Sequence, residues 1–430
     1  MRRWLFGTVL FLGAQWTAGE ELTLTRALEL ARQGPLLRAA AAQAAASEQR
    51  VREQQAWRWP QLEVEAQARS LRKDPGFLMP RGAFGNPVPL AMVTGERDVE
   101  TGRVWVSQLL WDWQRTGLAV EAARSEAEAK KNEMEVWARK VDKATVAAFA
   151  GAWAASGELA ACEKAQQAAA ETLRVVTTMV AQGLLPRSDQ MAAEFALQQR
   201  IAQCAEKSAA LAASLAVLEE LTGAQVTGVL WQPDELVRTE PERGVEGRAE
   251  LRVLRAQEQA LERAAAALRR EALPSLILVG GVDHVRDQYY LHQTNGFAAL
   301  VLKAKVFDGG QARARAQVMR WQAEALRQQR EATQRAAQRE LTVASAHLGA
   351  AEQALRAAHK AVEATEEEVR LETLRHQEGL ATTRDLLQAQ EHLAQARGAV
   401  ARSQAGWLIA WAEQLAACGE DFLQVLGGER

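Results

Sequence analysis

The sequence lacks a long uncharged apolar run of the kind that forms a transmembrane helix. Such a helix needs about 20 apolar residues in a row, and the uncharged run at residues 144–157 is clearly shorter. If this chain of 430 residues crosses a membrane, it must do so with β-strands. A closed β-barrel is the other structure that satisfies its backbone hydrogen bonds in lipid.

An excess of charge of one sign is also missing. Lys and Arg together number 52 and Asp and Glu 54, which gives a net charge of −2. Proteins that bind nucleic acids carry a basic excess, so no nucleic-acid partner is expected. The mixed charges are instead typical of helix faces in contact with solvent.

Cysteine is scarce, since the chain has only Cys162, Cys204 and Cys418. Three cysteines cannot form the disulfide framework of a small secreted domain. Cys162 and Cys204 are equally distant in sequence from Gly183, so a chain reversal there would place them on neighbouring helices. Helix axes lie about 8–10 Å apart, which makes a bond marginal. A disulfide and a pair of buried free thiols therefore both stay open.

Motifs of catalysis and cofactor binding are absent from the sequence. It contains no phosphate-binding loop, no G-x-S-x-G nucleophile turn and no H-E-x-x-H metal motif. The six histidines are scattered, and His284 and His292 could at most hold a metal weakly across a hairpin, where a solvated loop is favoured. No catalytic residue, cofactor or metal site is predicted, and an enzyme is disfavoured.

The first nineteen residues form a predicted secretory signal peptide. Arg2 and Arg3 precede an apolar stretch at 4–12, and residues 17–19 are the small residues of a cleavage site. The apolar stretch is about half as long as a membrane anchor requires. The mature chain is therefore expected to be exported.

The remaining chain contains one arrangement twice, and the offset between the copies is constant. The corresponding pairs are Asp112 and Asp308, Gly183 and Gly379, Leu184 and Leu380, and Asp189 and Asp385. A constant offset means that no net insertion separates the copies, which favours one duplicated architecture over several domains. Proline is absent between 112 and 183, and a single helix there would span roughly 107 Å. Such a helix must pack in a bundle or barrel.

The first copy, residues 20–223, is predicted to begin with a helix and a β-hairpin. The helix ends at Pro60, because proline lacks an amide donor and disfavours a helical residue before it. Alternating apolar and charged residues predict strands in the hairpin 61–110, and its Gly- and Pro-rich part, 74–96, is predicted to be a loop. The remaining parts are a long helix 112–182, a tip 183–189 and a return helix.

The second copy, residues 248–419, repeats this order. Its parts are a helix, a hairpin 275–306, a long helix 308–378, a tip 379–385 and a return helix. Residues 224–247 are predicted to be an equatorial linker on the surface of the long helices, and 420–430 a C-terminal tail. The offset from Pro60 to Pro274 exceeds the common one, so the first hairpin is the longer of the two. The insertion lies at a hairpin end, where solvent tolerates it.

Glycine is predicted to end the long helix at each tip. Short polar side chains can then cap the return helix that follows. The candidates are Ser188 or Asp189 in the first copy and Thr383 or Asp385 in the second.

The predicted strands have the length and pattern of membrane-crossing β-strands. About ten residues with one apolar and one charged face suit a tilted strand in a bilayer. Four strands cannot close a barrel, for which about eight are needed, so several chains must contribute. A polar channel lining is predicted for Glu63, Glu65, Arg69, Lys303 and Lys305, because the opposite orientation would place these charges in lipid.

Tryptophans cluster at the junctions between helices and strands. Such residues form aromatic belts at the two interfaces of a bilayer. The predicted interface aromatic belt consists of Trp57, Trp59, Trp105, Trp111 and Trp113.

The order of these features resembles that of the TolC-type outer-membrane factor (outer membrane efflux protein) family. The corners W-D-W-Q-R at 111–115 and F-D-G-G-Q at 307–311, together with the two G-L-x-x-x-x-D bends, carry the resemblance over essentially the whole mature chain. It implies a mainly α fold with a small transmembrane β part. The duplicated helix–β-hairpin–long-helix repeat would form a trimeric α/β-barrel channel-tunnel.

The resemblance also implies a function and partners. A homotrimer would be the passive duct of a tripartite efflux pump or a type I secretion system, with its barrel in outer-membrane lipid and its helical tunnel in the periplasm. An inner-membrane transporter would supply the energy, and a periplasmic adaptor protein would dock on the tips. The implied adaptor contacts and closed-state constriction are Gly183, Leu184, Asp189, Gly379, Leu380 and Asp385.

Two positions depart from the family pattern, and one alternative function stays open. Gln388 occupies a position at which some members have a second acid, and Pro186 changes the first tip. The alternative is a secreted structural coiled-coil protein without a channel. Such a protein would use the long helices to oligomerise but would need neither alternating strands nor tryptophan clusters.

Overall fold

The computed structural model describes residues 20–231 and 245–427. The predicted signal peptide, most of the predicted linker and the last residues of the predicted tail lie outside these ranges. The first repeat contains a short strand and two helices, a hairpin with an extension, and a helical pair. Its elements are β1 Glu20–Thr23, α1 Leu24–Arg32, α2 Pro35–Ala56, β2 Gln61–Ser70, β3 Gly76–Met79, β4 Leu90–Val93, β5 Asp98–Trp111, α3 Arg115–Ala181 and α4 Arg187–Thr222.

The second repeat has the same order with a simpler hairpin. Its elements are β6 Val226–Leu230, α5 Ala249–Arg269, β7 Ser275–Arg286, β8 Thr294–Lys303, α6 Gln311–Gln377, α7 Thr383–Cys418 and α8 Phe422–Gly427. Short 3-10 turns at Val245–Gly247 and Arg270–Ala272 lie before and after α5.

The long helices have equal lengths in the two repeats. Helices α3 and α6 each contain 67 residues, and α4 and α7 each contain 36. At about 1.5 Å per residue, a helix of this length extends roughly 100 Å. The match follows from the constant offset in the sequence, because all four boundaries of one pair are displaced by the same amount from those of the other.

The described chain forms two compact units. One contains the residues up to Ala40 with Glu133–Leu251 and the residues from Thr333 onward, and the other contains Ala41–Asn132 and Arg252–Ala332. The first is a helical unit with a small parallel sheet, and the second contains the four-stranded sheet.

The core of the helical unit is built around β1 and β6. These strands pair in parallel, with Leu22 opposite Val229. They bury apolar side chains of several helices, including Leu28, Phe149 and Leu408. The prediction of a surface linker from 224 is therefore wrong over its first part. Val226 is buried because it belongs to this sheet and core.

The C-terminal helix α8 packs into the same core. Its Phe422 is fully buried and contacts Trp411 edge-on at 6.1 Å between ring centroids. The preceding Asp421 accepts a hydrogen bond of 2.7 Å from Arg32, which donates a second one of 2.7 Å to the buried Asp142. One guanidinium therefore joins α1, α3 and the C-terminal segment.

A disulfide bond joins Cys162 of α3 to Cys204 of α4, with 5.6 Å between their Cα atoms. Of the two alternatives left by the sequence, the structure has the disulfide. The thiol of Cys418 is buried, and burial raises its pKa to about 11. The helical pair α3–α4 is thus covalently closed, whereas no cysteine occurs at the corresponding positions of α6 and α7.

Helix α4 is, among the described helices, the one that is long and apolar enough to cross a membrane by length and composition alone. Composition of this kind also occurs in core helices of proteins that never enter lipid. Most of its apolar stretch is accessible within a single chain. This makes α4 a helix with an uncovered apolar surface.

The β-unit contains one antiparallel sheet with the strand order β2-β5-β7-β8. It differs from the sequence-based expectation in two places. Strand β8 ends at Lys303 and not at 306. The predicted loop 74–96 contains a second, two-stranded sheet formed by β3 and β4. Its Gly and Pro residues lie mainly in the turn between these strands, where they do not interrupt the pairing.

Candidate functional site

The sheet brings charged residues from distant parts of the chain onto one face. Glu65 of β2 lies opposite Arg103 of β5, which lies opposite Asp283 of β7. Nε of Arg103 donates to Oδ1 of Asp283 at 2.5 Å. The partner of Arg103 on the next strand explains why a charged residue lies in the middle of β5. No local pattern indicated this pair, because the partners are 180 residues apart.

The opposite face of the sheet is apolar and exposed. Leu62 and Val64 of β2 are 67% and 72% exposed, and Leu300 and Leu302 of β8 are 62% and 69% exposed. Apolar side chains in such a patch indicate a contact with lipid or with another protein. The sheet therefore has the two-faced character that alternation predicted.

The predicted lining residues divide into four that share a face and one that does not. Glu63, Glu65 and Arg69 alternate along β2, and the strand register places Lys303 of β8 on the same face. Lys305 lies beyond the end of β8, where its amino group donates to Glu271 at 2.9 Å. It is therefore not a strand residue, because β8 ends earlier than the apolar alternation suggested.

Four of the five predicted belt tryptophans lie at junctions between helices and strands. Trp57, Trp59, Trp111 and Trp113 are all exposed. The rings of Trp111 and Trp113 meet edge to face, with centroids 6.0 Å apart. Their role as an interface belt stays a prediction. Phe307 is exposed at the corresponding place of the second repeat and was missed, although the offset pairs it with Trp111.

Trp105 differs from the other four, and its inclusion in the belt was wrong. The strand register places it within β5 opposite Glu63, on the charged face of the sheet. The guanidinium of Arg103 lies 5.8 Å from its ring centroid. Gly281 faces it from β7, where an added Cβ would lie 2.8 Å from the Cβ of Trp105. Gly281 is thus required by the close approach of the β5 backbone, because the carbonyl oxygen of Val104 and the Cα of Trp105 would also clash with an added Cβ.

An aspartate begins each long helix at the strand-to-helix corner. Oδ2 of Asp112 accepts a hydrogen bond of 2.7 Å from the amide of Thr116. Asp308 accepts from the amides of Ala312 and Gly310, both at 2.8 Å. These two backbone hydrogen bonds hold the pKa of Asp308 below its usual value. The aspartate in each of the two corner motifs, W-D-W-Q-R and F-D-G-G-Q, is therefore a helix cap.

The two residues after each of these aspartates have the same unusual backbone. Trp113 and Gln114 have φ values of 55° and 63°, and Gly309 and Gly310 have 66° and 86°. This left-handed region favours glycine. The second repeat has glycine at both positions, whereas the first repeat has residues with side chains there. Arg270 donates hydrogen bonds to the Trp113 carbonyl at 3.1 Å and to the Gln114 side chain at 3.3 Å, which stabilises the first corner.

Both tips are helix ends of the same type. Gly183 and Gly379 each have φ of 74°. The following leucines donate back to the helix, Leu184 to the carbonyl of Met179 at 2.9 Å and Leu380 to that of Arg375 at 2.8 Å. This is the glycine-terminated helix end expected from the sequence. Leu184 and Leu380 are 68% and 73% exposed.

The return helices begin in two different ways. Thr382 caps α7, because its hydroxyl accepts from the Asp385 amide at 3.2 Å while Asp385 accepts from the Thr382 amide at 2.9 Å. The hydroxyl hydrogen bond from Thr382 is the main reason that the pKa of Asp385 is lowered. Helix α4 begins after Pro186. This residue is the N-cap, and its side chain forms no capping hydrogen bond in the described part of the chain. The predicted caps Ser188 or Asp189, and Thr383, were wrong.

Asp189 instead connects the two tips. Its Oδ2 accepts a hydrogen bond of 3.1 Å from the hydroxyl of Thr383. That hydroxyl also lies 3.2 Å from Nε2 of His376. Thr383 and His376 are 1% and 6% exposed. Neither was predicted as a tip contact, because no spacing in the sequence indicates that the two tips touch.

Metal ligation finds little support in the described residues. No group of three or more His, Cys, Asp or Glu side chains within 20–231 and 245–427 is placed to hold a metal ion. Nδ1 of His284 lies 2.9 Å from the Thr294 hydroxyl, and Nδ1 of His292 lies 2.9 Å from the Leu291 carbonyl. Both histidines thus have polar partners within their own hairpin.

Comparison with known proteins connects this geometry to one family. The family model described as outer membrane efflux protein matches residues 242–420. Curated protein sequences gave no match. The fold is similar to that of the outer membrane protein VceC from Vibrio cholerae, with 18% identity, coverage of 93% of this chain and 96% of VceC, and a TM-score of 0.72.

Two further solved structures are similar over nearly the same length. The CmeC outer membrane channel of Campylobacter jejuni is 14% identical, with 92% of this chain and 85% of CmeC covered and a TM-score of 0.75. The MtrE outer membrane channel of Neisseria gonorrhoeae is 18% identical, with 92% and 89% covered and a TM-score of 0.75.

These likenesses confirm the predicted fold class, a helical tunnel combined with a β-barrel part. At such low identities, the similarity to these structures shows the fold alone. The link to a family rests on the family model that matches the second repeat. Residues 242–420, which include the second repeat, match the outer membrane efflux protein family, in agreement with the resemblance of the sequence to the TolC-type outer-membrane factors.

Proposed function

We propose that this chain is the outer-membrane channel component of a tripartite efflux pump or of a type I secretion system. It would be a passive duct from the periplasm and an inner-membrane transporter to the outside. The observation that carries this proposal is the sheet, which has a charged face, an exposed apolar face and two open edges. A water-filled, lipid-embedded barrel uses all three properties.

The open edges support assembly as a homotrimer. Within the described residues β2 and β8 each pair with one strand only, and an unpaired edge is a site of strand addition. Three copies joined from β2 to β8 would give twelve strands, three times the four of one chain. This exceeds the roughly eight strands that a closed barrel needs, whereas two copies only reach that limit.

In such a barrel the charged face would line the passage. Glu63, Glu65, Arg69 and Lys303 would meet water together with the Arg103–Asp283 pair. Lys305, beyond the strand, would lie near the helical side of the passage. Rings of charged side chains of both signs are compatible with many polar cargoes, so the lining supports transport without indicating one chemical class of substrate.

The tips are proposed to bind the periplasmic adaptor protein and to form the closed-state constriction. The proposed contacts are Gly183, Leu184, Asp189, Gly379, Leu380 and Asp385. Leu184 and Leu380 support this role because both are exposed, and exposed apolar side chains that cluster on a surface mark sites of protein contact. The hydrogen bond from Thr383 to Asp189 supports a closed arrangement in which the tips are held together.

Outer-membrane lipid is the proposed surroundings of the apolar face. Trp57, Trp59, Trp111 and Trp113 would lie at the periplasmic interface, since they are at the helix side of the strands. Members of this family form channels and are not enzymes. Energy for transport would therefore come from the inner-membrane transporter.

Extraction and conductance test the proposal together. The protein, expressed with its signal peptide, should need detergent for extraction from outer membranes, and native mass measurement should give a trimer. In planar bilayers it should conduct ions, and Arg103→Gln with Asp283→Asn should alter its ion selectivity. A water-soluble, non-conducting oligomer would instead support the structural coiled-coil alternative. Drug, metal and secretion assays on a deletion strain would identify the cargo.

A further inference from the structure

An apolar ribbon extends from the first hairpin of each subunit. It comprises residues 75–94, that is, β3, β4 and the turn between them, and Arg81 is its one charged residue. Phe77, Leu78 and Phe84 are 54%, 69% and 84% exposed. Soluble surfaces rarely carry so contiguous an apolar patch unless another surface covers it.

The ribbon is ordered by its own contacts. The amide nitrogen of the Asn86 side chain donates to the carbonyl of Val88 at 2.6 Å, which closes the turn. The amide of Thr94 donates to the carbonyl of Pro75 at 2.8 Å, which closes the base. Phe77 pairs with Met92 on one face. The next pair, Leu78 and Ala91, lies on the other face, so both faces are apolar.

Such a ribbon needs a partner on physical grounds. A two-stranded hairpin alone is marginally stable in water. If the ribbon folded onto the four-stranded sheet, only one of its two apolar faces would be buried. At least one of the two faces therefore remains for a surface outside the subunit.

Lipid is disfavoured as that surface. On the apolar face of the sheet, the end nearest the ribbon carries Glu100 opposite Arg286, with 3.1 Å between carboxylate and guanidinium, and then Asp98 opposite Ser70. These charged residues separate the apolar band from the ribbon, and lipid contact with both would bury the charges, which is unfavourable. Asp287, 3% exposed, accepts from the Glu96 amide at 3.1 Å and holds the ribbon base at the sheet end.

The position of the ribbon points to a neighbouring subunit. The ribbon continues from β2, which is an edge strand. Strand β2 ends at Ser70 at the same end of the sheet at which β8 begins at Thr294, because the intervening strands are antiparallel. If β2 pairs with β8 of the next subunit, the loop before that β8 lies beside the ribbon.

That loop carries the apolar surface that the ribbon requires. It contains Tyr289, Tyr290 and Leu291, which are 49%, 51% and 92% exposed. The amide of Tyr289 donates to the Asp287 carboxylate at 3.0 Å and that of Tyr290 to the Asp287 carbonyl at 3.1 Å, so the turn is held by its own hydrogen bonds. Tyrosine combines a large apolar ring with a polar tip, as expected for a side chain at a wet interface.

We propose that the ribbon of one subunit packs on the Tyr290–Leu291 turn of the next copy of this chain. The contact rests on the proposed trimer and adds to it a second intersubunit joint at the end of the barrel away from the helices. It would cover apolar surface that is open in one chain and would connect the subunits in a ring outside the membrane.

Paired cysteines test this contact in the full-length protein. Leu78→Cys and Leu291→Cys, combined in one chain, are treated in native outer membranes with a short bismaleimide. The expected result is a ladder of covalent dimers and trimers, at least about tenfold stronger than in either single variant, because juxtaposed thiols react at high effective concentration. Native Cys162 and Cys204 are disulfide-bonded and Cys418 is buried, so the unmodified chain should give no ladder.

The matched control combines Leu78→Cys with Leu302→Cys. Leu302 is as exposed as Leu78, at 69%, but lies at the far end of β8, and no ladder is expected from this pair. Native mass measurement of the same samples reports the trimer. A trimer without the Leu78–Leu291 ladder overturns the inference and leaves the proposed function intact, whereas a monomer overturns both.

A second measurement separates a protein contact from a lipid contact. A fluorophore on Phe84→Cys, an exposed turn position, is followed in vesicles with and without brominated lipids. Emission unaffected by bromine is expected for a ribbon outside the bilayer. Strong quenching would place the ribbon in lipid and would overturn the inference.

Discussion

The carboxylate of Asp189 accepts a hydrogen bond of 3.1 Å from the hydroxyl of Thr383. The two residues belong to different repeats and lie 194 positions apart. The same hydroxyl lies 3.2 Å from Nε2 of His376, at the end of α6. One buried threonine therefore contacts residues of both tips. This link is the contact that any opening of the tips would have to break.

Removal of the Thr383 hydroxyl should loosen the tips. Thr383→Val keeps the shape of the buried side chain but leaves Asp189 without this donor. We expect a higher mean conductance in planar bilayers, because the closed arrangement loses a hydrogen bond that contributes about 1 kcal/mol. Ser188→Ala is the matched control, since it changes a neighbouring exposed hydroxyl. Identical conductance of Thr383→Val and the unmodified channel would contradict the role of this link.

The capping box of α7 should make the second tip sensitive to acid. The lowered pKa of Asp385 means that its contribution is present above the usual carboxylate pKa and is lost as pH falls through the lower folded value. Amide protection in the first turn of α7, relative to the intrinsic exchange rate at each pH, should therefore fall only in this acidic range. Equal pH dependence in the first turn of α4, which begins after Pro186, would contradict this expectation.

Loss of the Thr382 hydroxyl should act on the same turn at neutral pH. Thr382→Ala removes the acceptor for the Asp385 amide, and amide protection at the start of α7 should fall roughly fivefold, as for other lost N-caps. Hydrogen exchange followed by mass spectrometry measures this directly. Ser188→Ala in the first tip should leave the protection of α4 unchanged.

The disulfide should stabilise the helical unit. Reduction, or Cys162→Ser with Cys204→Ser, opens a loop of 42 residues and should cost about 2–4 kcal/mol. Thermal melts with and without reductant measure the loss, and the double serine variant serves as control because reductant should not affect it. Rapid maleimide labelling of Cys162 in the unreduced protein would show that the bond is absent.

A side chain added at the second strand-to-helix corner should destabilise the protein, whereas a side chain removed at the first corner should be tolerated. Gly310→Val places a β-branched residue at φ of 86° and should destabilise the protein by about 1–2 kcal/mol. Gln114→Gly should be tolerated, since glycine relieves the same conformation at the cost of the contact with Arg270. Detergent melting temperatures compare the two, and equal losses would contradict a role of backbone strain.

The sequence could predict features that repeat or that depend on local chemistry. The constant offset between the copies predicted helices of equal length, and Pro60 and Gly183 marked where helices end. These features depend on neighbours in the chain, so one sequence is enough. The alternation in β2 likewise predicted which of its residues share a face.

Features that depend on contacts between residues far apart in the chain could not be predicted from the sequence. β6 belongs to the core because it pairs with β1. Trp105 lies on the charged face because the register with β2 places it opposite Glu63. The true end of β8 was obscured because Ala304 and Val306 continue the alternation after the pairing has ended. The link from Asp189 to Thr383 required knowing that the tips touch.

Equal helix lengths restrict how this architecture can change. A turn added to α3 alone would leave α6 one turn short, about 5.4 Å, and the two tips could no longer share Thr383. Lengthening is compatible with the contact only when it occurs in both copies at once. Viable insertions in these helices should therefore arise in matched pairs, because the length of each long helix restricts the length of its counterpart in the other repeat.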